Sequence, residues 1–206
     1  EFNISQDKID ANALSIIQRL QQSNFVAYIV GGGIRDLLLN KTPKDYDIVT
    51  DAPPEIIKKI FRHRAIIIGR RFKIVHIMFE KIRLDNNNNK IVERNIIEVS
   101  TFRSTKISKQ DTSVHGKILF DNNYGTFHED AYRRDFTINA LYYDPVNEII
   151  VDFHNGINDI KNKIIKMIGD PEKRVVEDPV RILRAIRLSS KLECSIDNNI
   201  IPCIDN

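Results

Sequence analysis

YIVGGGIRDLLLNKTPKDYDIVT, Tyr28–Thr50, holds in order a short apolar run, three glycines, an Arg-Asp pair, and two aspartates flanking one tyrosine. Tyr28, Ile29 and Val30 predict a buried strand. Gly31, Gly32 and Gly33 predict a turn in which backbone amides approach a phosphate with no Cβ in the way. Ile34–Leu39, carrying Arg35, then predicts a short helix whose N-terminus faces the same place. Asp45 and Asp47 are two apart in a β-type run, so both carboxylates leave one face while Tyr46 and Ile48 point to the other. Two hard oxygen ligands on one face suit Mg2+, which takes one or two carboxylates and completes its shell with substrate phosphates. GGGIRD matches neither the dinucleotide-binding G-x-G-x-x-G pattern nor the P-loop G-x-x-x-x-G-K-[ST]. Glycine turn, helix start and Asp pair together read as a candidate metal and triphosphate site for nucleotidyl transfer.

The bulk numbers frame that site. A chain of 206 residues supports one sizeable core plus a small appendage. Its 42% hydrophobic and 29% charged content is that of ordinary soluble globular proteins. No apolar run approaches the roughly 20 residues of a membrane span and no basic-then-apolar leader is present, so a cytoplasmic location with no membrane partner is expected. Glu1 in place of Met points to a trimmed N-terminus, and Asn198–Asn206 reads as a chain interrupted just after a helix. Cys194 and Cys203 are too few for a disulfide framework and are expected reduced. His63, His76, His115, His128 and His154 lack zinc spacing and are read as non-ligands. A net charge of +3 says little about partners, but Lys58–Lys73 holds seven Lys or Arg residues and no acid. Within it, Arg70 and Arg71 follow Gly69 between two strand-like runs, a corner suited to a triphosphate or an RNA backbone.

Leu14, Ile17 and Leu20, with Ala13 and Ile16 alongside, predict an amphipathic helix over Asp10–Gln22. Pro53 and Pro54 open a second helix through Phe61. Ala65–Ile68, Lys73–Phe79 and Asn95–Thr101 are strand candidates. LDNNNNK between the last two reads as a surface loop that tolerates deletion, and Ser104–Gly125 as a long mobile loop. HEDAYRRDFTINALYYD reads as a helix with Phe136, Ala140 and Tyr143 on one stripe and Asp135 and Asn139 one turn apart on another. Ile149–Phe153 predicts a closing strand. Asn158–Lys163 and Pro171–Val175 predict helical turns, and Asp178–Leu192 a longer helix. A boundary near His154 separates an α+β head, residues 1–153, from an all-helical continuation, residues 154–206.

Nucleotide transfer is attack by a hydroxyl on the α-phosphorus of a triphosphate with pyrophosphate leaving in line. Two metal ions held about 3.5 to 4 Å apart activate the nucleophile and neutralise the leaving group, and they require at least three carboxylates. Asp45 and Asp47 supply two. Glu98, in a strand with Ile97 and Val99 on the opposite face, is one candidate for the third, and Asp135 in RRDF is the other. In EDPVRILRAIR, a helix beginning near Asp178 places Glu177, Asp178, Arg181 and Arg184 on one side and Ile182, Leu183 and Ile186 on the other. That charged side reads either as an exposed salt-bridged face or as an acceptor and a forked donor presented to a base edge.

At these residues the chain resembles the bacterial poly(A) polymerases and class II CCA-adding enzymes, members of the polymerase β nucleotidyltransferase superfamily. Four motifs carry the resemblance: GGGIRD with DYD, RRDFTINAL, the Gly169–Arg174 segment G-D-P-x-x-R, and EDPVRILRA. It implies a polymerase β-like head with a mixed sheet flanked by helices, followed by the start of an all-helical neck whose body and tail lie beyond this chain. It implies that Asp45 and Asp47 bind two Mg2+ ions and that Asp135 serves in the active site. Arg133, Arg134, Asp135 and Asn139 would handle ribose and triphosphate, Gly31, Gly32, Arg35, Arg70, Arg71 and Arg184 would join the nucleotide site, and Asp178 and Arg181 would read the base. GRRFKIVHIMF followed by IIEVSTFR is similar to the gamma-proteobacterial poly(A) polymerase branch, whereas CCA-adding enzymes carry Phe-Gly or His-Gly after the glycine. The expected reaction is AMP addition from ATP to RNA 3′ ends, mRNA or other transcripts. CCA addition to tRNA is the alternative, and a truncated RNA-binding remnant of weak activity a second one.

Overall fold

The computed structural model describes residues 4–70, 72–104 and 124–204. The first helix, α1 (Ala11–Gln22), forms where the apolar spacing predicts it. Asp10 caps it by accepting from the Ala13 amide, and Ala13, Ile16, Ile17 and Leu20 are fully buried. The chain then enters β1 (Ala27–Val30), turns into α2 (Gly32–Leu38), and returns along β2 (Asp47–Thr50). Pro54 opens α3 (Pro54–Phe61), followed by β3 (Ala65–Ile68), β4 (Ile74–Leu84) and β5 (Lys90–Thr101). After α4 (Phe127–Tyr132), strands β6 (Leu141–Asp144) and β7 (Ile149–Asp152) complete a seven-stranded sheet of order β3-β4-β5-β2-β1-β6-β7. Among the described strands of that sheet only β2 and β5 run parallel; the other neighbours are antiparallel. The result is the α+β mixed sheet flanked by helices.

Period-two alternation gives the sheet two different faces. Ile29, Ile48, Val75, Ile77, Ile97 and Val99 join the main core with α1 and α3. Asp47 lies in register with Glu98, Glu98 with His76, and Val30 with both Asp47 and Tyr142, so these residues share the opposite face. There Tyr28, Phe102, Phe127, Tyr142 and Phe153 make a smaller aromatic cluster, with Tyr28 and Phe102 both stacked on Phe127.

Several expectations change. The Asn-rich stretch is the expected surface loop, but the strands on either side run further than expected: β4 and β5 stay paired out to Leu84 and Lys90. Asp85 accepts from the Asn87 and Asn89 amides, and Asn88 takes φ +63°, a conformation asparagine tolerates in turns. HEDAYRRDFTINALYYD is not one helix. It is α4, a single 3-10 turn at Thr137–Asn139 and β6. Helix propagation stops because Thr137 donates to the Lys166 carbonyl and Asp135 accepts from the Ile168 amide, which draws this strand-prone, aromatic run into tertiary pairing. The 104–125 expectation falls mostly outside the described residues, as does His115.

Beyond His154 the chain forms α5 (Gly156–Lys161), β8 (Ile164–Ile165), α6 (Pro171–Glu177), α7 (Val180–Leu192) and β9 (Ser195–Ile196). This segment is not wholly helical, since β8 and β9 pair in a small parallel sheet. Ile160, Ile165, Met167, Ala185 and Ile200 pack into the main core. On α7 the inward line is Ala185, Leu188 and Leu192, whereas Leu183 and Ile186, expected to be packed, are 66% and 44% exposed. Among the described residues no helix is long and apolar enough to cross a membrane.

Candidate functional site

The Asp-x-Asp pair is set by what lies between its members. Tyr46 turns into the core, where its hydroxyl donates to the Lys8 carbonyl at 3.1 Å and accepts from the Asp10 amide. Asp45 and Asp47 therefore face outward, although the assigned strand begins only at Asp47. Gly31 precedes α2 at φ +79°, a left-handed backbone that favours glycine, and a side chain there would point at Asp47 Oδ2 and the Asn139 carbonyl. A Cβ on Gly33 would meet the Asp45 carbonyl at 3.3 Å, so the glycine helix start lies directly against the carboxylate segment. Glu98 stands beside Asp47 on the adjacent parallel strand, and His76 Nε2 lies 3.7 Å from Glu98 Oε2 one strand further on.

This row is electrostatically crowded. Desolvation, then the neighbouring Glu98 carboxylate, raise the Asp47 pKa to about 6; Asp45 adds to the rise and the Arg134 guanidinium opposes it. Carboxylates that repel each other and meet solvent are chemically suited to a hard divalent cation. Among the described residues no three carboxylate, imidazole or thiolate groups close a metal cage. An open carboxylate edge is what Mg2+ shared with substrate phosphates requires. A Mg2+ ion bound at Asp47 would compete with its proton, and its affinity measured by calorimetry should then fall about fourfold between pH 7.5 and 5.5. An ordinary aspartate would show almost no change over that interval.

Beside the row opens a cleft of about 590 Å3 between the glycine turn, the α4–β6 connection and α7. Gly31, Gly32, Arg35 and Asn139 line one side, Arg133, Arg134 and Asp135 another, and Asp178, Arg181 and Arg184 the α7 side. Seven cationic side chains and two carboxylates line it, an arrangement that attracts a polyanion. Arg35 is buried, with Nη1 donating to Asn139 Oδ1 at 2.7 Å and Nε and Nη2 to Asp36, so it ties the glycine helix to the RRDFTIN segment. Arg134 is gripped by Asp130 Oδ2 and the Tyr142 hydroxyl. Burial works against its charge, but Asp130 and Tyr142 outweigh burial and raise its pKa. Asp135 faces α7, 3.7 Å from Arg184 Nε, rather than standing in the Asp47–Glu98 row.

On the charged side of α7, Arg184 is the arginine paired with Asp178. Asp178 Oδ2 accepts from Arg184 Nη2 at 2.5 Å, while Arg181 donates to the Arg174 carbonyl and to Glu177. Arg70 is exposed and is not among the residues lining the cleft, and Arg71 falls outside the described residues. Sequence reasoning missed Phe72, Arg187 and Lys191, which also line the cleft. For the last two the signal was present, since Arg184, Arg187 and Lys191 continue the three-to-four spacing of one helix face. It also missed Asp130 and Tyr142, whose roles depend on a fold that pattern did not reveal.

Comparison with known proteins places this arrangement. Residues 27–166 match the poly A polymerase head domain. The chain is 45% identical over 202 residues to poly(A) polymerase I of Haemophilus influenzae, covering 96% of this chain and 42% of that protein. It is 39% identical over 185 residues to the CCA-adding enzyme of Lactobacillus helveticus, covering 90% of this chain and 42% of that one. The crystal structure of the Bacillus stearothermophilus CCA-adding enzyme in complex with CTP superposes with a TM-score of 0.70 at 33% identity, over 91% of this chain and 40% of that chain. The chain thus spans about two fifths of the length of these relatives.

Proposed function

We propose, from the premise that this chain belongs to the poly(A) polymerase head-domain family, that it transfers AMP from ATP to RNA 3′ ends with release of pyrophosphate. The observation that carries the reading is the outward row of Asp45, Asp47 and Glu98 beside a cleft lined by seven cations. In this reading the triphosphate lies along the cleft, with Arg133, Arg134 and the amides of the glycine helix start offsetting its charge. Asp178 and Arg184, paired at the α7 end, meet the base, and Asp135 with Asn139 faces the sugar. Asp45 and Asp47, with Glu98 as third carboxylate, would hold two Mg2+ ions, which supply activation of the 3′ hydroxyl and charge neutralisation on the departing pyrophosphate. The chain's own part is to hold the reactants in line and keep them there. A cytoplasmic location, where ATP and transcripts meet, accompanies this reading.

A second reading, CCA addition to tRNA, is favoured by the likeness to the Lactobacillus helveticus and Bacillus stearothermophilus enzymes. GRRFKIVHI, with Lys73 rather than glycine after Phe72, favours AMP addition. A labelled RNA with a free 3′ hydroxyl, incubated with Mg2+ and one nucleotide at a time, separates the readings. Long tails from ATP alone are expected. Two C residues and one A followed by arrest on tRNA would transfer the assignment, and RNA binding without incorporation would reduce the chain to a binding remnant.

A further inference from the structure

Arg134 is held in a way that no nucleotide contact requires. Its Nε donates to Asp130 Oδ2 at 3.2 Å and to the Tyr142 hydroxyl at 2.9 Å, and its Nη2 donates to Asp130 Oδ2 at 3.0 Å. Tyr142 in turn donates to the same Asp130 oxygen at 2.8 Å. Asp130 and Tyr142 are 2% and 0% exposed, whereas the Arg134 side chain keeps 24% of its surface and lines the cleft. One edge of the guanidinium fork is therefore fixed inside the protein, while the side chain still lines the cleft. Asp130 has a second attachment, since its Oδ1 accepts from the Arg103 amide, and the Arg103 guanidinium lies over the Phe72 ring, 4.2 Å from its centroid. Phe72 lines the same cleft. A single buried carboxylate thus joins two points of the cleft wall that are distant in sequence.

We infer that Asp130 and Tyr142 are positioning residues that aim the Arg134 guanidinium at a phosphate of the bound nucleotide, and that Asp130 fixes the Phe72 wall at the same time. The inference rests on the proposed function for the identity of the anion. Two buried acceptors are an expensive way to hold an arginine unless the rigidity is used. A long side chain left free loses rotamer freedom when it engages a ligand; one already locked does not. An arginine fork with one edge anchored also keeps planar geometry that a lysine cannot supply.

The test compares Tyr142→Phe, Asp130→Asn and Phe153→Leu. Tyr142→Phe removes the hydroxyl that accepts from Arg134 Nε and donates to Asp130, and leaves the ring packing. Its KM for ATP should rise about tenfold with kcat within about twofold. Asp130→Asn removes the charge and should raise KM further with a lowered melting temperature. Phe153→Leu disturbs the same aromatic cluster without touching Arg134, so it should lower the melting temperature and leave KM unchanged. Tyr142→Phe with wild-type KM, or a Phe153→Leu variant with the same KM rise, overturns the inference and makes the network merely structural. MgATP dissociation constants from equilibrium dialysis separate it from the functional reading. Binding without transfer in wild type overturns the proposed function, and the ratio of dissociation constants then decides the clamp: about tenfold weaker in Tyr142→Phe upholds it, equal values overturn it.

Discussion

Asp47→Asn is expected to abolish nucleotide transfer and raise the melting temperature. The asparagine keeps the shape and one oxygen acceptor but not the charge that a hard cation needs, so kcat should fall at least about a thousandfold. The stability gain follows from the raised pKa. Asp47 binds its proton more tightly in the folded state, at about 6, than in the unfolded chain at 3.8, so stability is complete below 3.8 and is lost as pH rises through 6. Asparagine has no such loss. Allowing for the solvent exposure of Asp47, the difference above pH 6 is about 1 kcal/mol, or roughly 2–4 °C for a chain of this size. The two proteins should melt alike near pH 3.5 and diverge up to pH 7, as thermal scans across that range would show. Asp45→Ala should also lose turnover while remaining folded, because it removes a charge that crowds Asp47. A variant that melts well below wild type at pH 7, or that still elongates RNA, would mean the carboxylate is structural.

What made this row readable in advance was alternation. Asp45-Tyr46-Asp47 and Ile97-Glu98-Val99 each declare their faces locally, because a strand's period is two whatever it pairs with. That the two strands are neighbours was not readable, since β2 and β5 are separated by two further strands and pair in parallel. Hence sequence alone left Asp135 beside Glu98 as a candidate; the register puts Glu98 next to Asp47, while Asp135 lies 3.7 Å from Arg184 Nε. The α4–β6 error has the opposite origin. Phe136, Ala140 and Tyr143 recur at helical spacing by coincidence, and all three are buried, but by different partners. Phe136 bridges to Met167 and Tyr143 pairs with Ile29 and Ile150. Burial imposed by remote segments mimics a local period. The Asn-rich tip is the surface loop its composition suggests, and only the strands beside it ran further than expected, since one left-handed asparagine and one aspartate side chain suffice to close the hairpin. On α7 the charges were recognised but their pairing was not, because Asp178 sits in extended backbone before the helix and reaches Arg184 across nearly two turns.

If, as proposed, the base meets this pair, the pairing sets what that end of the cleft can distinguish. A carboxylate only accepts hydrogen bonds and a guanidinium only donates them. Side by side, Asp178 and Arg184 match a base edge on which an amino group adjoins a ring nitrogen acceptor, an arrangement adenine and cytosine share. Guanine and uracil present a carbonyl where the amino group stands, which would face the carboxylate acceptor to acceptor. Asp178→Ala should therefore reduce kcat/KM for ATP by about a hundredfold while leaving UTP and GTP no worse, so that discrimination against these two falls to within about tenfold. Arg184→Ala should weaken all four nucleotides, since it also releases Asp135, whose carboxylate lies 3.7 Å from Arg184 Nε. Both residues of the ion pair are partly exposed, so losing it should cost less than about 1 kcal/mol of stability. Single-nucleotide kcat/KM values with one RNA primer supply the measurement. A preference for ATP over UTP that survives Asp178→Ala would show that the base is read elsewhere in the cleft. Its collapse, with ATP and CTP losing together, would assign amino-group recognition to Asp178 and leave the choice between these two bases to the size of the space around the pair.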